Sequence, residues 1–417
     1  MFEPVLLDQI RDRFCHVDTC PYQGPRVFFE NAGGSLTLKS VVEVNTRLAG
    51  IPDNQGRDNP ASHELVRIID LARADMRLFL GVDAGPVFIG ESGTELLFRL
   101  VRAAVLGSLT GGNVVGSTLE HPATVSASKR WAAIAGKQYR SVIHNNDTAT
   151  VTADDYRKVV DADTRVATII HTSPVTGMSV DVASVVAVIR EVSPSCLIVV
   201  DGIQHAPHGG LNIGRIDIDA YAISTDKVFS RHNYGFAWLS PRMTQLPHDH
   251  LDGTPNEQWE MGTRDTSAFA CFSEVVNYLD WLGSNFTASD DRRSRLIAAG
   301  RAISEHEHGL VDAMINGIGG QKGLRAMPEV FVIGGYDNQS REGLVSIVVE
   351  GIPCADVVAQ LNARGVRTHV RKNDYFSGNV LQPLNRPTCI RVSMAHYNTS
   401  AEVLQFLQAL EAIIKNN

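Results

Sequence analysis

The stretch between residues 85 and 245 alternates short apolar runs with longer amphipathic segments. The runs GPVFIG, VATIIHTS and CLIVVDG are each only a few residues long. The first leads into TELLFRLVRAAVLGSL, whose apolar residues recur at helical spacing. This alternation predicts an α/β fold, a mostly parallel sheet with helices on both faces. Ligands of such sheets bind at the carboxyl ends of the strands, so the polar residues that close each run are the candidates for a functional site.

The remainder of the chain follows another pattern. With 417 residues the protein is too long for one simple core. Long helices are predicted from about residue 266 to residue 315, and the strands and helices after them are typical of an α+β unit. We therefore expect an N-terminal segment of the small domain at residues 1–25, a large domain at 26–285 and a smaller C-terminal α+β domain at 286–417.

The charge and the cysteines narrow the classes of partner. A formal net charge of -8 and a pI near 6.0 argue against a nucleic-acid or anionic-membrane partner. No apolar run approaches the roughly 18 residues that span a bilayer, and the charged N-terminal segment resembles no targeting signal, so a cytoplasmic location is expected. The six cysteines are scattered without a C-x-x-C pair, and no metal site is expected.

Several strand ends carry groups capable of chemistry. GESGTE leads from an apolar run into a helix, where free backbone N–H groups and the Thr94 hydroxyl suit a phosphate; taken alone, the same stretch also fits a plain helix cap. His121 closes the next run. Asp201 follows four apolar residues, with Gln204 three positions on, and a carboxylate there is costly without a cation or a good donor. Ser224 and Lys227 close the run after that.

Together these groups match the needs of pyridoxal phosphate. This cofactor requires a lysine for a Schiff base, an acid that keeps its ring nitrogen protonated, and an anion site for its phosphate. A phosphate cradle, an imidazole, a carboxylate and a lysine at neighbouring strand ends supply all three.

The sequence resembles the class V aminotransferase and cysteine desulfurase group of fold-type I pyridoxal-phosphate enzymes over nearly its whole length. The matching motifs, in order, are FFENAGGS, GESGTE, LEHPAT, VVDGIQHAPH, EMGTRD and CIRVSMAHYNTSAEV. The resemblance implies a large cofactor-binding domain with a seven-stranded, mostly parallel sheet, a smaller α+β domain, and a homodimer that acts on a small amino acid.

Carried over residue by residue, the resemblance gives each strand-end group a role. Lys227 would form the Schiff base and move protons, and Asp201 would pair with the ring nitrogen. Gln204 would lie near the phenolic oxygen, and His121 would stack on the ring and take part in catalysis. The phosphate would be held by Gly93, Thr94 and Ser224, joined by Thr263 of the partner subunit. Asn31 and Arg391 would bind the substrate, with Arg391 clamping its α-carboxylate.

Three positions depart from the family pattern. The usual Ser-x-His-Lys reads Ser224-Thr225-Asp226-Lys227 here, so an acid replaces an imidazole. Pro174 occupies a position where many relatives carry an asparagine. The loop RKNDYFSGNVLQPLNRP has no cysteine, whereas cysteine desulfurases carry their nucleophile there; Cys389 lies in an apparent strand. Persulfide chemistry is therefore not expected.

These features lead to one main interpretation and two alternatives. The main one is an enzyme that cleaves at Cβ of a small amino acid (a C–S lyase, desulfinase or β-decarboxylase, with or without transfer to a second substrate), acting on a cysteine conjugate, cysteine sulfinate or aspartate. The first alternative, suggested by HTSPVTG, is a class V aminotransferase or an amino-acid epimerase. The second, suggested by Asp226 and Pro174, is a cofactor-binding protein without turnover.

Overall fold

The computed structural model describes residues 1–416. Its α-helices are α1 Pro4–Arg11, α2 Lys39–Ala49, α3 Pro60–Leu80, α4 Gly93–Gly107, α5 Pro122–Ile134, α6 Ala153–Arg157, α7 Val182–Val192, α8 Pro241–Thr244, α9 Thr266–Ser284, α10 Arg292–Asn316, α11 Cys354–Ala363, α12 Gly378–Leu381 and α13 Ser400–Lys415. Short 3-10 helices cover Asn31–Gly33, Ile213–Arg215, Thr225–Lys227 and Leu324–Ala326.

The strands are β1 Thr19–Cys20, β2 Gly24–Pro25, β3 Val27–Phe28, β4 Val87–Gly90, β5 Asn113–Ser117, β6 Gln138–Val142, β7 Thr164–Ile170, β8 Leu197–Asp201, β9 Ala220–Ser224, β10 Gly235–Leu239, β11 Gly317–Ile318, β12 Gln321–Lys322, β13 Val330–Val332, β14 Leu344–Val349, β15 Val366–Arg367, β16 His369–Lys372 and β17 Thr388–Ser393.

A seven-stranded sheet forms the centre of the fold, in the order β4-β10-β9-β8-β7-β5-β6. Strand β10 runs antiparallel to both of its neighbours, and the other adjacent pairs are parallel. Strands β8 and β10 are buried along their whole length, which explains why their sequences are continuous apolar runs rather than alternating ones. This sheet, flanked by helices, confirms the mostly parallel α/β fold expected from the sequence.

A smaller antiparallel sheet, β13-β14-β17-β16, lies in the C-terminal part of the chain. It shares a hydrophobic core with α11 and α13. Strand β3 pairs in parallel with β15, so Val27 and Phe29 pack into this C-terminal core although they stand far earlier in the sequence.

Helix α10 contributes to both hydrophobic cores. Its first half, including Leu296 and Ile303, packs with the large sheet, and its second half, including Leu310 and Met314, packs with the small one. The domain limits expected from the sequence, at residues 25 and 285, stay predictions. Within residues 1–416, no helix has the length and apolar character needed to cross a membrane.

Local sequence signals set the helix starts nearest to the pocket. Ser92 caps α4 by accepting a hydrogen bond from the backbone N–H of Glu95 at 3.1 Å, and His121 caps α5 by accepting from Ala123 at 3.2 Å. Because both helices follow strands of the large sheet, these caps fix the turns at the sheet's carboxyl edge.

Candidate active site

A pocket lies where strands β4, β7, β8 and β9 of the large sheet end, and residues of β16 and β17 form its far side. Of the ten residues that the sequence assigned to the site, eight line this pocket. They are Gly93, Thr94, His121, Asp201, Gln204, Ser224, Lys227 and Arg391. The residues at the predicted strand ends therefore surround one continuous cavity.

Lys227 ends the short 3-10 helix that follows β9. Its Nζ atom donates hydrogen bonds to the backbone carbonyl of Gly33 and to Oδ2 of Asp226, both at 2.8 Å. The side chain is 18% exposed, so it is largely enclosed yet open to the pocket. An amine held in this way is positioned to meet a ligand at the sheet's carboxyl edge.

Asp226 faces into the pocket rather than away from it. Its carboxylate accepts hydrogen bonds from Lys227 and from the Ser224 hydroxyl, and His232 lies 3.5 Å away. Burial pushes the pKa of Asp226 upward, but the Lys227 ammonium and these hydrogen bonds outweigh it and leave the pKa below its ordinary value. Asp226 is therefore an ionised partner of Lys227.

Asp201 closes β8 and is only 2% exposed. It accepts hydrogen bonds from the backbone N–H of Ile203 at 3.1 Å and from the Thr124 hydroxyl at 3.4 Å. Burial raises its pKa to about 6. Both donors are neutral, and within residues 1–416 no cation pairs with this carboxylate, so the site suits a ligand that brings a protonated nitrogen.

Gln204 begins a buried chain of polar side chains. Its Nε2 atom lies 3.3 Å from Nε2 of His208, whose Nδ1 atom lies 2.7 Å from Glu307. The Oε1 atom of Gln204 is buried and, within residues 1–416, has no hydrogen-bond partner. A polar ligand atom in the pocket would satisfy this amide group.

The N-terminus of α4 forms the anion-binding end of the pocket. The first backbone N–H groups of a helix have no acceptor within it, and Gly93 and Thr94 provide two of them next to the Ser224 side chain. A Cβ atom at Gly93 would come within 2.4 Å of Ile203 and 3.2 Å of Ser224. Glycine is therefore required for this close approach of helix and strand ends.

His121 is held neutral. Burial, reinforced by the positive charges of Arg371 and Lys227, lowers its pKa to about 4. The residue before it, Glu120, is also neutral near pH 7, since burial raises its pKa to about 8 despite hydrogen bonds from Ile170 and Ser117. Glu120 connects the ends of β5 and β7 through these hydrogen bonds, and His121 presents an uncharged ring to the pocket.

Arg391, on β17, donates a hydrogen bond from Nη1 to the backbone carbonyl of Pro174 at 3.0 Å. Burial, with a contribution from Arg371, lowers its pKa to about 10, so it stays protonated at neutral pH. Pro174 offers no side-chain donor, as the sequence indicated, but its carbonyl oxygen orients the guanidinium.

Asn31 is not among the residues that line the pocket, although its neighbours Glu30 and Ala32 are, and its contact with substrate stays a prediction. Its amide donates to the carbonyl of Ser393 at 2.9 Å and to Asn398 at 3.2 Å, and its oxygen accepts from the Tyr397 hydroxyl. The side chain is 5% exposed and fully engaged in joining the N-terminal segment to the C-terminal one.

Thr263 is exposed and does not line its own pocket. The next residue, Arg264, forms an ion pair at 2.7 Å with Glu91, which stands at the pocket's anion-binding end. The contact of Thr263 with a partner subunit stays a prediction.

Arg371 and His232 line the pocket but were not identified from the sequence. A signal for Arg371 was present: the alternation of His369 and Arg371 places both on one face of a strand. That strand, β16, pairs with β17 so that His369 lies opposite Arg391. His232 stands on an irregular loop after Lys227, where no periodicity announces the direction of a side chain.

The residues present fit pyridoxal phosphate. Among the described residues, Asp201 has no cation beside it and the amide oxygen of Gln204 has no partner. The α4 N-terminus suits a phosphate, and the Lys227 amine faces the same cavity. Each of these features answers a different part of the cofactor.

Comparisons with known proteins identify the family of this chain. Residues 27–406 match the family described as aminotransferase class-V. The aminotransferase-like protein FGM3 of Gibberella zeae is 25% identical over 93% of this chain and 95% of its own length. The cysteine desulfurase-like protein ustD of Aspergillus flavus is 26% identical over 94% of this chain and 88% of its own.

Solved structures give the same fold. The apo structure of a cysteine desulfurase from Thermococcus onnurineus NA1 matches with a TM-score of 0.83 and 20% identity, over 100% of this chain and 99% of that one. The family match spans most of the sequence. This chain belongs to the class V aminotransferase family and is a cysteine desulfurase-like, pyridoxal-phosphate-dependent enzyme.

Proposed function

We propose that this enzyme cleaves a bond at Cβ of a small amino acid, as a C–S lyase, a desulfinase or a β-decarboxylase, without a cysteine persulfide. The observation that carries the proposal is a pocket that contains Arg391 but, within residues 1–416, is lined by no cysteine; residues 371–387, from the end of β16 to the start of β17, contain none. Cys389 offers no substitute, because it is fully buried and burial raises its pKa to about 12. Transfer to a second substrate can follow the same cleavage.

Residues of the large sheet would hold the cofactor. Pyridoxal phosphate, when bound, supplies an electron sink for negative charge that develops on the substrate. Lys227 would hold it covalently, Asp201 would hold its protonated ring nitrogen, and Gln204 would meet its phenolic oxygen. Gly93 and Thr94, joined by Ser224, would hold its phosphate through backbone N–H and hydroxyl groups.

The remaining steps belong to the chain's own side chains. Lys227 moves protons at the substrate carbons, and Asp226 keeps its Nζ atom at the pocket by the 2.8 Å contact. His121, uncharged at neutral pH, provides a flat ring that does not compete for anions. Arg391 binds the α-carboxylate with its planar fork and so fixes which bond faces Lys227.

A panel of substrates tests this function. The enzyme, loaded with cofactor, is given cysteine, an S-alkyl cysteine, cysteine sulfinate or aspartate, and sulfide, thiol, sulfite and carbon dioxide are measured. Release of any of them, abolished by Lys227→Ala, supports Cβ cleavage. Conversion of the cofactor to its amine form, or exchange of the Cα proton without cleavage, would identify the aminotransferase or epimerase alternative. If no substrate of the panel gave a product or changed the cofactor, the alternative of a cofactor-binding protein without turnover would be favoured.

We also propose a homodimer in which Thr263 reaches the phosphate of the partner subunit. Its exposure and its place beside Arg264, which contacts the anion-binding end through Glu91, support this. Light scattering gives the oligomeric state. Mixing Lys227→Ala with Thr263→Ala protein should yield heterodimers in which one site combines both defects and the other has neither; activity equal to the sum of the parents would refute the sharing.

A further inference from the structure

Two arginines face the pocket without an ion pair to any acidic residue among residues 1–416. Arg371 donates one hydrogen bond, from Nη2 to the backbone carbonyl of Phe376 at 3.3 Å, and Arg391 donates one to Pro174. The Nε atoms of both are buried and, within residues 1–416, have no partner. Guanidinium groups removed from water without a carboxylate are costly, and two of them near each other are costlier.

The acidic groups around the pocket are already engaged. Asp201 accepts a hydrogen bond from Thr124, and Asp226 contacts Lys227. Glu30 contacts His369, and Glu91 contacts Arg264. Glu30 acts electrostatically on Arg391 and Asp374 acts on Arg371, but no ion pair joins either acid to these arginines within the described part of the chain. The free positive charge of the pocket is therefore concentrated at Arg371 and Arg391.

The register of β16 and β17 sets the spacing between these arginines. Arg371 lies opposite Cys389, and Arg391 lies two residues further along the same face of β17. Diagonal neighbours of this kind have Cα atoms about 7–8 Å apart. Two guanidinium forks rooted at that distance can converge on the two anionic groups of one short ligand.

We propose that Arg371 and Arg391 together select an amino acid that carries a second anionic group on Cβ, a carboxylate or a sulfinate. Arg391 binds the α-carboxylate and Arg371 binds the side-chain anion. This narrows the substrate of the proposed Cβ cleavage and rests on it. A neutral cysteine conjugate leaves Arg371 unpaired and is disfavoured.

The bond change balances without an added oxidant or reductant. The bond from Cβ to the side-chain anion breaks, and its electron pair stays with Cβ. Carbon dioxide leaves from a carboxylate, or sulfur dioxide, which water converts to sulfite, leaves from a sulfinate. Cβ takes one proton, supplied by way of Lys227, and the product is alanine in both cases.

Binding of unreactive acids tests the selection directly. Succinate and propionate lack an amino group, so calorimetry on the cofactor-loaded enzyme measures their affinity without turnover. Arg371→Gln should weaken succinate binding by at least about tenfold and leave propionate within about twofold. Arg371→Lys, which keeps the charge but loses the fork, should fall between. Lys372→Gln, an exposed cation on the next residue of β16, is the matched control and should change neither.

Two results would overturn the selection. One is equal affinity of the native enzyme for succinate and propionate. The other is that Arg371→Gln loses binding of both acids while Arg371→Lys binds both as the native enzyme does. Activity separates it from the proposed function. Carbon dioxide from aspartate or sulfite from cysteine sulfinate, lost in Arg371→Gln, supports both. Arg371-dependent binding of succinate with transamination only supports the selection and refutes Cβ cleavage. Cleavage of cysteine conjugates that is unchanged in Arg371→Gln supports Cβ cleavage and refutes the selection.

Discussion

The Nζ atom of Lys227 lies 2.8 Å from Oδ2 of Asp226, the residue directly before it in the chain. The pair is mostly buried, with exposed fractions of 18% and 11%. This enzyme therefore places a negative charge directly beside its own lysine. The carboxylate also takes the Ser224 hydroxyl, so one side chain organises both the lysine and part of the anion-binding end.

Replacing Asp226 by Asn should reduce stability in a pH-dependent way. The pKa of Asp226 is lower in the folded protein than in the unfolded chain, so its stabilisation is present above the unfolded pKa of about 4 and disappears as the pH falls through the folded pKa. We expect a loss of about 1–3 kcal/mol near neutral pH that narrows below about pH 4. Urea unfolding across this pH range measures it.

The matched control is Asp163→Asn, which removes an ion pair with Arg165 on the surface, where the carboxylate is 73% exposed. That change should cost less than about 1 kcal/mol. Equal losses in the two variants would show that burial gives the Asp226 pair no advantage.

Replacing Asp201 by Asn should have opposite effects on stability and on cofactor binding. The pKa of Asp201 is raised to about 6, so without cofactor the folded protein loses stability as the pH rises from about 4 through 6, by up to about 3 kcal/mol. Asn removes this loss, and cofactor-free Asp201→Asn should be the more stable protein near neutral pH. Its affinity for pyridoxal phosphate should fall by at least about tenfold.

Asp219→Asn is the contrasting variant. Asp219 is equally buried but pairs with Arg190 at 2.9 Å and Arg242 at 2.7 Å. Its loss should destabilise the protein by about 3 kcal/mol, because Arg190 and Arg242 then keep only Asp217, which is 60% exposed, as an acidic partner. If Asp201→Asn destabilised the cofactor-free protein to a similar extent, Asp201 would have to be a structural residue.

Cys389→Ala should leave catalysis unchanged. The thiol is buried within β17, two residues before Arg391, and does not line the pocket; its raised pKa disfavours the thiolate. We expect kcat within about twofold of the native enzyme and a stability loss of about 1 kcal/mol from the small cavity. A persulfide on Cys389 in mass spectra, or loss of turnover in the alanine variant, would refute the thiol-independent mechanism.

Asn31→Ala should affect folding rather than substrate affinity. Removing the amide takes away the acceptor of the Tyr397 hydroxyl, which then keeps only the bond from the Leu36 N–H, and a donor to the Ser393 carbonyl, at a cost of about 1–3 kcal/mol. KM should stay within about twofold of the native value. Asn316→Ala, at an exposed position on α10, is the control for stability. A large rise in KM at unchanged stability would show that Asn31 binds the substrate.

The sequence was sufficient for features that depend on neighbouring residues in the chain. Continuous apolar runs predicted the buried parallel strands, and the polar residues ending them gave Asp201 and Lys227, because parallel strands bring their carboxyl ends to one edge. The turn before α4 was likewise readable from its glycine and its capping serine.

Features that depend on distant parts of the chain could not be read in the same way. The sequence predicted that Asn31 binds substrate, but the side chain bonds to Ser393 and Tyr397, which lie more than 360 residues away in sequence. The pairing of β3 with β15 links the two ends of the chain for the same reason. Arg371 reaches the pocket because β16 pairs with β17, a contact between separate strands that the local sequence around Arg371 does not specify.

The most direct test of the account is the mass of the product that the cofactor-loaded enzyme forms from aspartate and cysteine sulfinate in heavy water. Cβ cleavage predicts alanine that carries a solvent deuterium at Cβ, together with carbon dioxide or sulfite, and none of these with Lys227→Ala. Keto acids that keep the side-chain anion, or unchanged amino acids labelled only at Cα, would contradict it.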